Sequence, residues 1–109
     1  MNKWLRSLIL GLALLQMAGM AAASDVEDGK ALVKPAAHDR YAINGYIMGK
    51  AELFGYISDL KDQEHLDGLV LRSGGSDAQR QAIGSIARTL QLKAFELDGG
   101  DLKPMAPGS

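Results

Sequence analysis

The two histidines are the side chains of this sequence best suited to acid–base or metal chemistry near neutral pH. His38 is followed by Asp39 and His65 is preceded by Glu64, so each imidazole has a carboxylate beside it in the chain. The histidines are 27 residues apart and form neither an HxxxH nor an HExxH pattern, which would place two imidazoles on one helix face. This spacing favours two solvent-exposed histidines, and we expect neither a metal site nor a cofactor.

Carboxylates and serines are the other candidate catalytic groups. Four acids follow one another closely: Asp59, Asp62, Glu64 and Asp67. Two carboxylates hydrolyse glycosides when they face each other across a cleft, whereas acids interspersed with a lysine, here Lys61, are typical of a solvated surface. No serine lies in the G-x-S-x-G pattern of a nucleophile elbow, and the chain has no cysteine to act as nucleophile or thiolate ligand. We therefore expect a protein that is not an enzyme.

The glycine-rich stretch Arg72–Ser76 is the candidate ligand-binding loop. Arg72 offers a bidentate donor to a carboxylate or phosphate, and Gly74 and Gly75 let a ligand approach the backbone. Ser76 begins a predicted helix whose free amides attract anions. Asp77 adds a negative charge to the same turn, and no G-K-[ST] follows, so the stretch favours a strand-to-helix turn over a phosphate loop.

Aromatic residues supply a candidate partner surface. Tyr41, Tyr46 and Tyr56 lie in a predicted hairpin and in the predicted helix after it, together with Phe54. Tyrosine is enriched at protein interfaces because its ring is apolar and its hydroxyl is polar. A short hairpin also leaves an open sheet edge, which recruits a strand from a second copy or from a partner. We expect some of these rings in the core and the others at an interface.

The amino terminus has the composition of an export signal. Lys3 and Arg6 accompany an apolar run over residues 8–18, and small residues follow, ending at Ala23. This order predicts a secretory signal peptide cleaved after Ala23 and a periplasmic or secreted protein. The alternative is an uncleaved membrane anchor, but residues 8–23 are fewer than the roughly 20 apolar residues that span a bilayer. We expect no stable membrane span after cleavage.

The charge of the remaining 86 residues argues against nucleic acid as a partner. Every Asp and Glu lies at or beyond Asp25, so removal of residues 1–23 leaves a formal net charge of -3. Proteins that bind a phosphate backbone usually carry a basic excess instead.

Local patterns predict the elements of the first half of the chain after a flexible linker over residues 24–40. Asn44-Gly45 stands between aromatic and β-branched residues and predicts a β-hairpin over Tyr41–Met48, since both central positions of a type I′ turn need a positive φ. An amphipathic helix over residues 50–60 is predicted by the spacing of Leu53, Ile57 and Leu60.

The second half of the chain continues with alternating strands and helices. Leu69-Val70-Leu71 predicts a central strand buried on both faces. Ser76 and Gln79 form an S-x-x-Q capping box that begins a second amphipathic helix. Lys93–Leu97 predicts a closing strand, and residues 99–109 a disordered tail.

These elements predict one domain over residues 41–98. Helices that alternate with strands bury their apolar faces against a common sheet. The expected fold is a small α+β two-layer sandwich of order β-hairpin-α-β-α-β, with two helices on one face of one sheet.

The hairpin Ile43-Asn44-Gly45-Tyr46-Ile47-Met48-Gly49 and the strand Leu69-Val70-Leu71-Arg72 resemble the periplasmic domain of the ExbD/TolR family. The resemblance covers residues 41–97 and implies a domain that contacts another envelope protein or the cell wall. Family strands typically end in Arg-Ala-Asp, where this chain has Arg72-Ser73-Gly74. Family members also couple proton flow to work through a transmembrane Asp, and residues 8–23 contain no Asp or Glu. The proton-linked step is therefore not expected of this chain.

Together these features predict an exported, non-catalytic, protein-binding accessory module of the cell envelope. The expected partner is another envelope protein, or a second copy bound through a sheet edge. The candidate surface comprises Tyr41, Tyr46, Tyr56, Arg72, Gly74, Gly75 and Ser76. The alternatives are an inhibitor or immunity protein that neutralises an exported toxin, and a small cell-wall-binding protein or hydrolase.

Overall fold

The computed structural model of the protein describes residues 24–105, which form seven β-strands and two α-helices. The strands are β1 (Val26–Glu27), β2 (Lys30–Ala36), β3 (Arg40–Ile43), β4 (Tyr46–Met48), β5 (Gly68–Arg72), β6 (Lys93–Asp98) and β7 (Asp101–Pro104). The helices are α1 (Lys50–Glu64), between β4 and β5, and α2 (Asp77–Leu90), between β5 and β6. The predicted α+β class is therefore confirmed.

The strands form one mixed sheet in the order β4-β3-β2-β5-β6-β7, and β1 pairs with β2 beside this path. The pairs β2–β5 and β5–β6 are parallel, and the other pairs are antiparallel. Each parallel pair is joined through a helix, as parallel neighbours require a crossover. The arrangement leaves β4 and β7 at the two ends of the sheet.

The prediction of a flexible linker over residues 24–40 is wrong, because β2 is one of the two middle strands of the sheet. Lys30 and Lys34 make this stretch look polar, but Ala31 and Val33 alternate with the lysines and are fully buried. The alternation is the period-two pattern of a strand with one buried face. A turn at Asp28-Gly29, with φ of 53° and 76°, folds β1 back onto β2.

The prediction of a disordered tail over residues 99–109 is wrong for β7, which pairs with β6. Gly99 and Gly100 have φ of 60° and 101° and form a tight turn, which the glycine pair favours, but a strand follows this turn in place of a disordered tail. Residues 106–109 lie outside the described part of the chain.

The elements predicted between these two regions are present: the hairpin, the two helices, the buried strand β5 and the strand β6. The full order of elements differs from the predicted one, because β1 and β2 precede the hairpin and β7 follows β6. The capping box of α2 is formed, since the Ser76 hydroxyl accepts from the Gln79 N–H and the Gln79 side chain accepts from the Ser76 N–H. Local capping and periodicity therefore determined these elements correctly.

One core cluster joins both helices to alternate strand positions. The helices contribute Leu53, Ile57, Leu60, Ala82, Ile83, Ile86 and Ala87, and the strands contribute Ala31, Val33, Tyr41, Ile43, Met48, Leu69, Leu71 and Ala94. Complete burial of an aliphatic side chain stabilises a fold by about 1.5–3 kcal/mol, so this cluster holds the hairpin β3–β4 firmly beneath α1.

Within residues 24–105, neither helix has the length and apolar character needed to cross a membrane. The predicted signal peptide over residues 1–23, with cleavage after Ala23, lies outside the described residues.

Candidate functional site

The turn Asn44-Gly45 determines which side chains the hairpin presents to solvent. Its two residues have φ of 50° and 85°, as the predicted type I′ turn requires. Across the turn, Ile43 lies opposite Tyr46. Because side chains alternate along a strand, Ile47 points to the face of the sheet opposite that of Tyr46 and Met48. The end strand therefore carries apolar groups on both faces.

Two of the three β4 side chains are largely exposed: Tyr46 is 61% and Ile47 is 59% accessible. The ring of Tyr46 lies edge-on to that of Tyr56 in α1, with ring centroids 6.1 Å apart. Among residues 24–105, no strand pairs with β4 on its outer side. Tyr46 and Ile47 thus form an exposed apolar edge, and the ring of Tyr56 packs against Tyr46.

The backbone of Ile47 also faces outward. Ile43 and Tyr46 flank the two-residue turn and form the hydrogen-bonded pair that closes it. Opposed pairs in an antiparallel ladder alternate between bonded and non-bonded, so the next pair, Ala42 and Ile47, is non-bonded. The N–H and C=O of Ile47 consequently point away from β3, toward the open side of β4.

Tyr41 is buried, so the prediction that it belongs to the partner surface is wrong. Its side chain is 2% exposed and belongs to the core cluster. Burial raises the pKa of the Tyr41 hydroxyl above 10.0, and the negative charge of Asp39 raises it further. The tyrosines of the hairpin thus divide, with Tyr41 supporting the fold and Tyr46 facing solvent.

A polar network that the sequence did not indicate fixes the hairpin turn. The Asp25 N–H donates to Asn44 Oδ1, and the Asn44 N–H donates to Asp25 Oδ2 at 2.8 Å. Asn44 Nδ2 donates to the Tyr56 hydroxyl at 2.8 Å, and Lys34 Nζ lies 3.3 Å from Asp25 Oδ1. Asp25 precedes Asn44 by 19 residues, so no local motif connects them, and only the position of β1 beside β2 brings them together.

The loop Arg72–Ser76 adopts the predicted strand-to-helix turn. Arg72 and Gly74 are exposed, Gly75 is half-buried, and Gly74 has a φ of 100°. The Ser76 hydroxyl donates to Asp39 Oδ1 at 2.9 Å, so a carboxylate of the chain itself already lies at the start of α2. These contacts favour a structural role for the loop over the predicted ligand contact.

Gln79 is the second polar residue whose long-range role the sequence did not reveal. Its side chain is 4% exposed. Beyond the capping box, Gln79 Nε2 donates to the Ala36 carbonyl at 2.9 Å and to the Arg40 carbonyl at 2.8 Å. These bonds satisfy two carbonyls of the β2–β3 connection and tie the start of α2 to it. The capping motif identified the residue but not the strands that it holds.

The candidate catalytic groups do not converge on a site. His38 lies in the β2–β3 connection and His65 follows α1, and both are exposed. Neither belongs to a group of three or more potential metal ligands within residues 24–105. The acids Asp59, Asp62, Glu64 and Asp67 are exposed on the end of α1 and the loop after it. The candidate functional surface is therefore the sheet edge formed by Tyr46 and Ile47.

No protein-family model, no curated protein and no solved structure matches this chain.

Proposed function

We propose that this chain is an exported, non-catalytic module of the cell envelope that binds a partner protein by strand addition at β4. The observation that carries the proposal is the exposure of Tyr46 and Ile47 on an end strand whose outer side is unpaired among residues 24–105. The partner is another envelope protein or a second copy of the chain.

Strand addition uses two properties of β4. Backbone bonds supply affinity, because the outward N–H and C=O of Ile47 each gain a partner when another strand lies beside them. Side chains supply selectivity, because Ile47 contacts the incoming strand on one face of the sheet and Tyr46 contacts it on the other. β4 carries no charged residue, so an apolar strand meets no charge there.

The proposal includes the two-layer arrangement, with both helices on one face of the sheet. It is supported by the single core cluster, in which residues of both helices join alternate strand positions such as Ala31 and Val33. In this arrangement the helices leave the outer side of β4 accessible. The firm packing of β3 beneath α1, together with the Asp25–Asn44 bonds, preorganises the edge before a partner arrives.

The envelope location rests on the sequence. The order of charged, apolar and small residues in 1–23 supports export, and the resemblance of residues 41–97 to the ExbD/TolR periplasmic domain supports a role in contacts between envelope proteins. The proposal assigns no proton-linked step to the chain, because residues 8–23 carry no acid.

The test is photo-crosslinking in the cells that produce the full chain. A benzophenone amino acid replaces Tyr46 on β4 or, as the control, Arg88 on the exposed side of α2. We expect a discrete adduct from position 46 that is not formed from position 88. A second substitution, Ile47→Lys, is expected to reduce the adduct at least about tenfold, because it places a charge against the incoming apolar strand.

Mass spectrometry of the adduct identifies the partner as a second copy or as another envelope protein, and either result supports the proposal. The absence of a discrete adduct from position 46 would refute it. The same adducts from both positions, or an adduct that Ile47→Lys leaves intact, would also show that β4 is not the binding edge.

A further inference from the structure

A groove separate from the β4 edge crosses the sheet between β1 and β7. Its volume is about 560 Å³, within the size range of ligand sites in proteins. The floor is apolar and comes from four adjacent strands, which contribute Leu32, Val70, Leu97 and Leu102. The strand register places Leu32 opposite Val70, Val70 opposite Phe95, and Leu97 opposite Leu102. Because Phe95 and Leu97 are two positions apart in β6, the four floor side chains share one face of the sheet.

Three of the four floor side chains remain accessible to a ligand. Leu102 is 44% exposed and Leu32 and Leu97 are half-buried, whereas Val70 is buried. Four adjacent strands have three spacings of about 4.8 Å, so the floor is about 14 Å wide. An extended peptide rises about 3.3 Å per residue, and a segment of four or five residues therefore spans the groove.

The rim of the groove near β1 is acidic. It carries Asp25, Glu27 and Asp28, with Lys30 as the one basic lining residue. Asp25 is already paired with Lys34, and Lys30 Nζ lies 3.6 Å from Asp67 Oδ1.

The carboxylates of the other two rim acids have no ion-pair partner among the described residues. Glu27 and Asp28 are exposed, and within residues 24–105 neither carboxylate forms an ion pair. Lys30 Nζ lies 3.4 Å from the Asp28 carbonyl oxygen, but it forms no ion pair with the Glu27 or Asp28 carboxylate. Two unpaired carboxylates thus stand beside an apolar floor.

We propose that this groove binds an extended peptide segment that is both apolar and cationic. Leucine-like side chains contact the floor, and a lysine or arginine side chain reaches the carboxylates of Glu27 and Asp28. Charge complementarity decides the class of ligand, because the same rim repels an acidic peptide or an anionic lipid surface. This site is distinct from the β4 edge, since β3 lies between β4 and β2, the first strand of the groove floor.

Two synthetic peptides test the proposal with the protein purified after expression of the full chain. The basic probe is acetyl-Leu-Arg-Leu-Arg-Leu-amide, and the acidic probe is acetyl-Leu-Glu-Leu-Glu-Leu-amide. Isothermal titration calorimetry is expected to show at least about tenfold tighter binding of the basic probe at low salt, with the difference decreasing as ionic strength screens the charges. Methyl NMR shifts are expected at Leu32, Val70, Leu97 and Leu102.

Variants separate the rim from the floor. Glu27→Gln with Asp28→Asn removes the negative charges of both unpaired rim carboxylates. Asparagine tolerates the φ of 53° at position 28, so the backbone there is not strained. We expect this pair to bring the affinities of the two probes to within about twofold of each other. Leu102→Ser is expected to weaken the basic probe about tenfold by removing apolar contact area. The matched control, Asp62→Asn with Glu64→Gln, removes two exposed acids of α1 and is expected to change neither result.

Equal binding of the two probes by the parent, or no binding of either at millimolar concentration, would overturn the proposal. Discrimination that survives Glu27→Gln with Asp28→Asn would equally refute the acidic rim. These measurements involve neither Tyr46 nor Ile47. A negative result for peptide binding in the groove therefore does not refute strand addition at β4, and a negative crosslinking result at β4 does not refute peptide binding in the groove.

Discussion

The two ends of the sheet occupy equivalent positions but differ in surface chemistry. Both β4 and β7 are short antiparallel strands that follow tight turns, at Asn44-Gly45 and Gly99-Gly100. β4 reads Tyr-Ile-Met and has no charge, whereas β7 reads Asp-Leu-Lys-Pro. Charges and proline are the usual means by which proteins prevent an end strand from pairing with another chain. β7 is therefore protected and β4 is not.

The turns that precede β4 and β7 differ in the side-chain bonds that fix them. Asn44 is fixed by bonds to Asp25 and Tyr56. The β6–β7 hairpin has an exposed ion pair between Lys103 and Asp98, 3.2 Å apart, and exposed pairs contribute little to stability. The β3–β4 turn is thus fixed by side-chain bonds to residues outside the hairpin, whereas the ion pair of the β6–β7 hairpin lies within that hairpin. Rigidity at an exposed apolar edge lowers the entropy cost of binding, which is why the difference supports β4 as the binding edge.

The largest effect is expected from removing the protection of β7. Lys103→Ile with Pro104→Val takes away a charge and restores a backbone N–H, so Asp101, next to the turn, is the one charged residue left in β7. We expect self-association that increases with protein concentration at roughly micromolar protein, measured by analytical ultracentrifugation. Two unprotected sheet edges allow each molecule to pair with two others, so assembly does not stop at a dimer.

The control for this variant is Arg88→Ile, which makes the same exchange of charge for apolar surface on the exposed side of α2. Arg88→Ile is expected to sediment like the parent. If the β7 variant also sediments like the parent, charge and proline do not explain the difference between the two edges.

A smaller effect is expected at the β3–β4 turn. Asn44→Ala removes the two side-chain bonds, the one accepted from the Asp25 N–H and the one donated to the Tyr56 hydroxyl, while the backbone N–H of residue 44 can still donate to Asp25 Oδ2. It also places a Cβ-bearing residue without a polar side chain at a φ of 50°. We expect the free energy of unfolding to fall by about 2 kcal/mol, measured by urea denaturation. Asn44→Gly accommodates the positive φ and is expected to lose only about 1 kcal/mol.

The matched change in the other hairpin is Lys103→Ala, which removes the exposed ion pair. Its expected effect is below about 0.5 kcal/mol. Equal losses for Asn44→Ala and Lys103→Ala would mean that the two turns support their edges equally.

The smallest effect concerns Tyr41, which lies in the core directly behind the exposed edge. Burial, and then the charge of Asp39, raise its folded-state pKa above 10.0, so the unfolded chain loses the Tyr41 proton at lower pH than the folded chain. This contribution to stability is fully present below pH 10 and is lost as pH rises from there toward the folded pKa.

We therefore expect Tyr41→Phe to reduce the decline in stability above pH 10, measured by urea denaturation across that range. An unchanged decline in the variant would show that burial of Tyr41 does not contribute to the alkaline sensitivity of this hairpin.

Local sequence determined the middle of the fold. Asn44-Gly45, the capping box of Ser76 with Gln79 and the apolar run Leu69-Val70-Leu71 each specify an element through neighbouring residues alone. Such signals act within one turn or one strand. For the same reason they could not show that β2, read as a linker, occupies the middle of the sheet, since its position depends on pairing with β5, far along the chain.

The candidate site was only partly predictable for the same physical reason. The sequence identified tyrosines at the hairpin but did not show which of them would be buried in the core. Tyr41 and Tyr46 have similar neighbours in the chain, yet Tyr41 is buried and Tyr46 is exposed in the fold. By itself the sequence determined the turn, the apolar stripes, the absence of cysteine and the lack of charge in β4. Only the tertiary structure decided that β4 has no strand on its outer side among residues 24–105, that Asp25 fixes its turn and that Gln79 ties α2 to the β2–β3 connection. Those properties arise from contacts between residues far apart in the chain, which local preferences do not encode.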